Sequence, residues 1–362
     1  HSLGFDYSTY FFKHILTREV AYQTLLAENR KVLHRLCGEA IETLYPDRLD
    51  EFYYALAEHF HKAEVIDKAI IYIEKAANSA AKVYNNQQAL RFYQLLLDYP
   101  DLQPVKRLEI TMQIADIMWL TGDWNNARKI VYDLLHEAQK INAEKVCFEA
   151  YRFLGIAAFY QNEKDEALSY FKLAYDLAKK LNDPALISIA VGNLGNWYFR
   201  TGDLTLASHL QQQDLSISID RQDSKRQAKA YSNLGLICLE EDDLEKAEDY
   251  FYKSLKIAVD NRFLKEQSIA LGNLGYTKML AENYAEAFPL LQQKLKIATE
   301  MNDKLELINV LGNIAIFYME TGEIDKAMEN YHKIVDIYHY LGDEKGEQEI
   351  RDYIALLNSE LK

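Results

Sequence analysis

Hydrophobic and small residues recur with a period of 40 residues over most of this 362-residue chain. One position of every period is an alanine: Ala127, Ala167, Ala207, Ala247, Ala287 and Ala327. Thirteen residues before each alanine stands an apolar residue followed by a small one: Ile114-Ala115, Leu154-Gly155, Leu194-Gly195, Leu234-Gly235, Leu274-Gly275 and Ile314-Ala315. Two independent marks that repeat in this way predict an array of six similar structural units.

Between the two marks of each unit lies a position that is glycine or polar. Its residues are Gly122, Asn162, Gly202, Asp242, Glu282 and Gly322. Such residues suit a left-handed conformation at the end of a helix. Each unit is therefore predicted to be two antiparallel helices joined by a short turn, with small residues that let the helices approach closely.

These marks resemble the tetratricopeptide repeat family, whose usual period is 34 residues. A 40-residue period lengthens each helix by nearly one turn and resembles the repeats of the Pins/LGN adaptors, the kinesin light chain and the bacterial Rap-type peptide receptors. The resemblance covers residues 104–343. It implies an all-α, right-handed superhelical solenoid of antiparallel helix pairs that binds a protein or peptide in its concave groove.

The two ends of the chain depart from this period. Residues 344–362 are predicted to form a capping helix, since a helix with a polar outer face closes such an array. Residues 51–100 are predicted to be divergent helices of the same type, because Leu56-Ala57 is followed by Ala69 at the repeat spacing. Residues 1–50 are expected to form a helical linker or cap.

Residues 7–97 also resemble a segment of bacterial multidomain signalling proteins. In those proteins it follows the ATPase module of a STAND-type ATPase that is joined to a class III adenylate/guanylate cyclase or a transcription regulator. The resemblance rests on Phe12-Lys13-His14, Arg18-Glu19-Val20-Ala21-Tyr22 and Leu33-His34-Arg35. It implies that this chain is the sensor region of a larger protein and that His14 matches a family histidine near the nucleotide-binding module. The alternative is a stand-alone scaffold or adaptor.

An asparagine directly precedes the apolar–small pair in four successive units. These residues are Asn193, Asn233, Asn273 and Asn313. Asparagine is a mediocre helix former, so its repetition within a helix indicates a specific role. The family resemblance implies that this position faces the concave groove, where an amide can pair with a peptide backbone. Groove positions are also expected for Asn196, Arg200, Lys229, Tyr276 and Asn309, with Arg200 able to bind a carboxylate.

A structural alternative for the asparagines stays open. Their amides can hydrogen-bond the next helix and set the spacing of the units. The residues in front of them are small (Gly192, Ser232, Gly272 and Gly312), which fits close helix contact equally well. Four aspartates at the junctions between units, Asp183, Asp223, Asp303 and Asp343, are predicted to be helix caps rather than catalytic carboxylates.

Charge and motifs narrow the function further. The net charge is −14, which argues against nucleic acid and anionic membranes as partners and favours a basic or mixed-charge peptide. The three cysteines are far apart, which favours reduced thiols in a cytoplasmic protein. The sequence contains no phosphate-binding loop, nucleophile elbow or zinc motif, so no enzymatic activity, cofactor or metal is expected of it. Homodimerisation stays open.

Overall fold

The computed structural model describes Val20 and residues 22–360, and its regular secondary structure there is entirely helical. The chain divides into two compact units, His1–Asp101 and Leu102–Lys362. The first contains a 3₁₀ helix at Pro46–Phe52 and α1 (Ala27–Leu44), α2 (Tyr53–Lys62), α3 (Ile66–Lys82) and α4 (Asn86–Leu97). The all-α prediction is confirmed.

In the first unit α2, α3 and α4 pack as successive neighbours, and α1 packs on α2. Leu56 and Ala57 of α2 and Ala69 of α3, the three marks of a divergent repeat, are fully buried. Gly38 of α1 lies against the ring of Phe60, where an added Cβ would come within 2.7 Å of Cζ. The predicted histidine His14 lies outside the described residues.

The described residues of the second unit form thirteen helices, which begin at intervals of twenty residues. They are α5 (Pro104–Leu120), α6 (Trp124–Lys140), α7 (Glu144–Tyr160), α8 (Lys164–Leu181), α9 (Pro184–Thr201), α10 (Leu204–Asp220), α11 (Ser224–Glu240), α12 (Leu244–Asp260), α13 (Leu264–Leu280), α14 (Tyr284–Met301), α15 (Lys304–Glu320), α16 (Ile324–Leu341) and α17 (Glu344–Glu360). Each helix packs on the next. None of the described helices is long and apolar enough to cross a bilayer.

Every turn between these helices contains one residue with positive φ. The twelve residues are Gly122, Asn142, Asn162, Asn182, Gly202, Gln222, Asp242, Arg262, Glu282, Asn302, Gly322 and Gly342. The predicted left-handed turns within the units are confirmed. The turns between units have the same conformation, so the 40-residue period consists of two geometrically similar halves.

The predicted aspartate caps are also confirmed. Each accepts a hydrogen bond from a backbone N–H two or three residues later: Asp183 from Ala185, Asp223 from Arg226, Asp303 from Glu306 and Asp343 from Gly346. The second helices have similar caps that the sequence reading missed, at Asp203, Asp243 and Asn283. Both kinds of cap satisfy backbone donors that a helix start leaves unpaired.

Small residues set the distance between the two helices of a repeat. The alanines of the second helices, such as Ala167 and Ala247, are fully buried. The glycines of the first helices lie against aromatic rings: a Cβ on Gly155 would come within 2.6 Å of Cε1 of Phe171, and one on Gly235 within 2.5 Å of Cε1 of Phe251. A larger residue at either glycine would push the helices apart.

The first helices of successive repeats form the inner wall of the second unit. Besides packing on their own second helices, α5, α7, α9, α11, α13 and α15 contact one another in sequence. The last repeat of the array meets the first. Gly122 lies so close to the side chain of Leu341 in α16 that an added Cβ would collide with it. The inner wall is therefore concave.

Replacement of Gly235 by alanine should destabilise the array. The added methyl group overlaps the fully buried Phe251 ring, and overpacking of this kind costs about 1–3 kcal/mol. Gly312→Ala is the matched control, because its nearest neighbour, Cδ1 of Ile334, is 4.0 Å away. That variant should be neutral or more stable by up to about 1 kcal/mol through helix propensity. Urea unfolding of the two variants measures the difference, and equal midpoints would contradict it.

Candidate functional site

A cavity of about 630 Å³ opens in the concave wall of the second unit, among α7, α9, α11 and α13. Four of the nine predicted groove residues line it: Asn193, Asn196, Lys229 and Asn233. The sequence reading missed several other residues of the lining, among them Glu149, Arg152, Tyr160, Arg226, Lys265 and Glu266. Asn273, Asn313, Arg200, Tyr276 and Asn309 are not part of the lining.

One buried glutamine connects two of the predicted asparagines. Gln211 of α10 is 1% exposed, and its Nε2 donates to Oδ1 of Asn196 at 2.8 Å and to the carbonyl oxygen of Gly192 at 3.0 Å. Its Oε1 accepts from Nδ2 of Asn233 at 3.2 Å. The amide of Asn233 therefore has a structural bond, and its partner lies on the preceding helix rather than on the next one.

Two other asparagines differ from Asn233. The Nδ2 atoms of Asn193 and Asn273 are shielded from solvent and have no hydrogen-bond partner among the described residues. Asn193 lines the cavity, whereas Asn273 lies one repeat beyond Asn233 in the same register. An amide donor that is shielded from water and has no partner lowers the stability of the fold. The described residues leave this donor of Asn193 and of Asn273 unused.

Three further predicted side chains, Arg200, Tyr276 and Asn309, have different surroundings. The guanidinium carbon of the exposed Arg200 lies 5.1 Å from the centre of the Phe159 ring. Tyr276 is 38% exposed. Oδ1 of Asn309 accepts a hydrogen bond from Nζ of Lys294 at 2.5 Å. Asn309 is thereby part of an ionic cluster behind the concave wall.

That cluster joins α13, α14 and α15. Lys294 is only 4% exposed, and its Nζ lies 3.1 Å from Oε2 of Glu306. Nζ of Lys265 lies 3.1 Å from Oε1 of the same carboxylate. Burial raises the pKa of Glu306. The two ammonium groups together lower this pKa by more than burial raises it, so it lies below its ordinary value. Burial lowers the pKa of Lys294, and Glu306 opposes this effect only in part.

A second ionic cluster anchors α10 between α9 and α11. Asp214 is fully buried and lies 2.7 Å from Nη2 of Arg226. The same guanidinium donates to the carbonyl oxygen of Ser188 at 3.0 Å, and the Ser188 hydroxyl donates to Asp214. A Cβ on Gly192 would collide with Arg226 and Asp214, so this glycine makes room for the cluster.

The sequence contains a signal for these clusters. In the register of the second helix, one buried position reads Leu134, Ala174, Asp214, Ser254, Lys294 and Ile334. Three consecutive repeats thus have a polar residue where the others are apolar, and each contacts a first helix: Asp214 through Arg226, Ser254 through Ser232 and Lys294 through Glu306. Three residues earlier in the same helix, Gln211 occupies a position that is Val131, Phe171 or Phe251 in other repeats.

A sequence comparison identifies the repeats. The sequence profile of the tetratricopeptide repeat family matches residues 186–258, which lie within two of the helix pairs. Residues 186–258 are tetratricopeptide repeats. No curated protein sequence gave a significant match.

Solved structures show the same fold at low sequence identity. The Rap conjugation gene regulator of plasmid pLS20, in complex with the Phr* peptide, is 16% identical with a TM-score of 0.64 over 79% of this chain and 76% of that one. A Rap protein complexed with competence and sporulation factor is 14% identical, with a TM-score of 0.62 over 91% and 99%. A STAND protein with a tetratricopeptide repeat sensor, from Pyrococcus horikoshii, is 15% identical, with a TM-score of 0.50 over 93% and 52%.

Loss of the Gln211 side chain should destabilise the central repeats. Gln211→Ala leaves the carbonyl oxygen of Gly192 and the amides of Asn196 and Asn233 without their partner, at a cost of about 1–3 kcal/mol. Gln212→Ala is the control, because Gln212 is exposed on the same helix. Chemical unfolding should show a lower midpoint for the first variant only. An unchanged midpoint would mean that the Gln211 bonds contribute nothing to stability.

Glu306→Gln should destabilise the array at pH 7 by about 3–5 kcal/mol, because it leaves two ammonium groups with one carboxylate fewer. The pKa of Glu306 is lowered in the fold, so its contribution is present above its unfolded value, about 4.3, and is lost as pH falls through the lower folded value. The deficit of the variant should therefore shrink in acid.

The control for this variant is Glu300→Gln. Glu300 is 54% exposed, and its only ion pair in the described structure is a 4.0 Å contact with Lys296. Its replacement should change stability by no more than about 0.5 kcal/mol at any pH. A Glu306→Gln deficit that stays constant down to pH 3 would contradict the assigned ion pairs.

Proposed function

We propose that the chain is a non-catalytic sensor region of a larger signalling protein, and that it binds an extended peptide along its concave wall. The observation that carries this proposal is the cavity among α7, α9, α11 and α13, which has the unpaired amide donor of Asn193 in its lining. A peptide carbonyl group is a suitable acceptor for such a donor, independent of the peptide's side chains.

The register of the repeats supports an extended ligand. Asn193 and Asn273 occupy the same position two repeats apart, and both have an unused amide N–H. Asn233, between them, uses its amide to bind Gln211. A peptide that follows the wall would therefore meet amide donors at two separated points, with a structurally bound amide between them.

The comparisons with solved structures also support a peptide-binding sensor. Two of the similar structures are Rap proteins in complex with a peptide or with competence and sporulation factor. A third is a STAND protein whose tetratricopeptide repeats are a sensor, and this chain spans about half of its length. The third likeness favours a sensor joined to a STAND-type ATPase. A nucleotide cyclase module is proposed only from the resemblance of residues 7–97. The free thiols of Cys147 and Cys238, both buried, favour a reducing compartment such as the cytoplasm.

The asparagine donors can be tested with the double variant Asn193→Ala/Asn273→Ala and an array of immobilised octapeptides of random sequence. The wild-type chain should retain a subset of the peptides. Loss of two hydrogen bonds at about 1 kcal/mol each should weaken retention by roughly tenfold or more. Asn125→Ala, at an exposed position in α6, should bind as the wild type does.

Circular dichroism melting of the same variants separates function from structure. The double variant should melt near the wild-type temperature, because neither Nδ2 atom is bonded to a described protein group. Unchanged peptide retention by the double variant would contradict the proposed role. A double variant that no longer folds would assign the asparagines to the spacing of the helices instead.

A further inference from the structure

Two histidines, the histidine pair, meet across the interface between α1 and α2 in the first unit. Nδ1 of His34 in α1 lies 2.9 Å from Nδ1 of His59 in α2, and the ring centres are 5.1 Å apart. Nε2 of His34 lies 2.8 Å from the hydroxyl oxygen of Tyr22, so both nitrogens of this ring have a partner. The proposed peptide binding takes place in the second unit and makes no use of the pair.

The bond between the two rings depends on their protonation. A hydrogen bond between two Nδ1 atoms needs a proton on one atom and a lone pair on the other. Two neutral rings, or one neutral and one charged ring, can form it. When both rings are charged, both Nδ1 atoms carry a proton, the bond is lost and two positive charges face each other. The contact is therefore favourable only while at least one ring is neutral.

The charged groups around the histidine pair favour its neutral form. Lys62 of α2 and Arg30 of α1 act on His34 as cations, and Glu58 of α2 is the opposing carboxylate. This carboxylate is shared, because Oε2 of Glu58 lies 3.6 Å from Nζ of Lys62 and Oε1 lies 3.4 Å from Nη2 of Arg91 in α4. A second proton on the pair therefore has little compensating negative charge nearby.

Both rings titrate below the ordinary range of histidine. Burial lowers the pKa of His34, and the charges of His59 and Lys62 lower it further. Burial also lowers the pKa of His59, and Lys62 acts in the same direction. A histidine whose pKa is lowered in the fold contributes stability above its unfolded value, about 6.5, and this contribution is lost as the pH falls through the lower folded value.

The N-terminal half of α1 depends on polar contacts with the rest of the unit. All residues of α1 are described, and only Gly38, which lies against the ring of Phe60, is buried. Before Gly38, Nζ of Lys31 lies 2.8 Å from Oε2 of Glu64, whose side chain is 65% exposed. Exposed ion pairs contribute little to stability, so the histidine pair is the stronger anchor of this half.

The C-terminal half of α1 has an anchor of a different kind. Glu42 accepts hydrogen bonds from Nζ of Lys68 at 2.5 Å and from the hydroxyl of Tyr72 at 2.6 Å, both in α3. Burial raises the pKa of Glu42, but the bonds to Lys68 and Tyr72 lower it by more. This carboxylate therefore stays charged, and keeps its bonds, in mild acid.

We propose that the histidine pair is a pH switch for the docking of α1. At neutral pH the bonded rings hold the N-terminal half of this helix, residues 27–37, on α2. In mild acid the second proton breaks the bond and this half separates, while Glu42 keeps the C-terminal half in place. The inference is independent of the proposed peptide-binding function.

Hydrogen–deuterium exchange of the whole chain, measured by mass spectrometry at pH 7.5 and pH 5.0, tests the switch. Protection factors, which are corrected for the intrinsic effect of pH on exchange, should fall about tenfold in residues 27–37, because a hydrogen bond is lost and two like charges meet. Residues 66–82 of α3 should keep their protection. The double variant His34→Asn/His59→Asn should protect residues 27–37 equally at both pH values, because two amides can bond without titrating.

His61→Asn is the matched control. His61 lies on the same helix as His59, but its Nδ1 contacts the hydroxyl of Tyr99 at 2.7 Å. This variant should show the pH dependence of the wild type. NMR of the wild-type chain with labelled histidines needs no variant: two rings should titrate below about 6.5, and the lower midpoint should coincide with the loss of protection.

Equal protection of residues 27–37 at the two pH values in the wild type would overturn the inference. A double variant that loses protection in acid as the wild type does would also overturn it, as would a loss of protection whose midpoint matches no histidine titration. If the double variant is already unprotected at pH 7.5, the agreement or disagreement of the wild-type midpoints decides.

Discussion

The close approach of the two helices in each repeat is the constraint on which the rest of the structure depends. An alanine in the second helix and a glycine or alanine in the first bring their axes together, and in two repeats a Phe ring lies directly on the glycine. The first helices of successive repeats then contact one another and form a concave wall. The apolar core lies between the two helices of each repeat. The wall itself is therefore not needed for the core and can contain polar side chains.

These polar positions are concentrated in the middle of the array. The second-helix register that is apolar in the outer repeats contains Asp214, Ser254 and Lys294 in three consecutive repeats. Each bonds to a first helix, and burial of such groups is tolerated only when their hydrogen-bonding and charge requirements are met. The clusters around Asp214 and Lys294 provide partners for these buried groups. They also hold Arg226 and Lys265, two cations of the cavity lining, in position. Lys229 lies at a longer distance from its carboxylate, with 3.6 Å between its Nζ and Oε1 of Glu266.

The fold could be predicted from the sequence because its signals are periodic and local. The left-handed turn at Asn162 and the cap at Asp183 depend on a few neighbouring residues, so the printed sequence contains the information they need. The groove was predictable only in part. Gln211 contacts α9 and α11 through side chains 15 and 22 residues away, and such pairings depend on which rotamers meet across repeats. A comparison of each register position between repeats would have found Gln211, Asp214 and Lys294 as polar exceptions.

Binding of an extended peptide to the first helices, at the cavity, can be tested directly. A peptide retained by the wild-type chain can be made with a benzophenone side chain, photo-crosslinked and mapped by mass spectrometry. We expect crosslinks to α7, α9, α11 and α13, the helices that line the cavity. Crosslinks confined to the second helices, such as α10 and α12, would show that the peptide does not bind at the cavity.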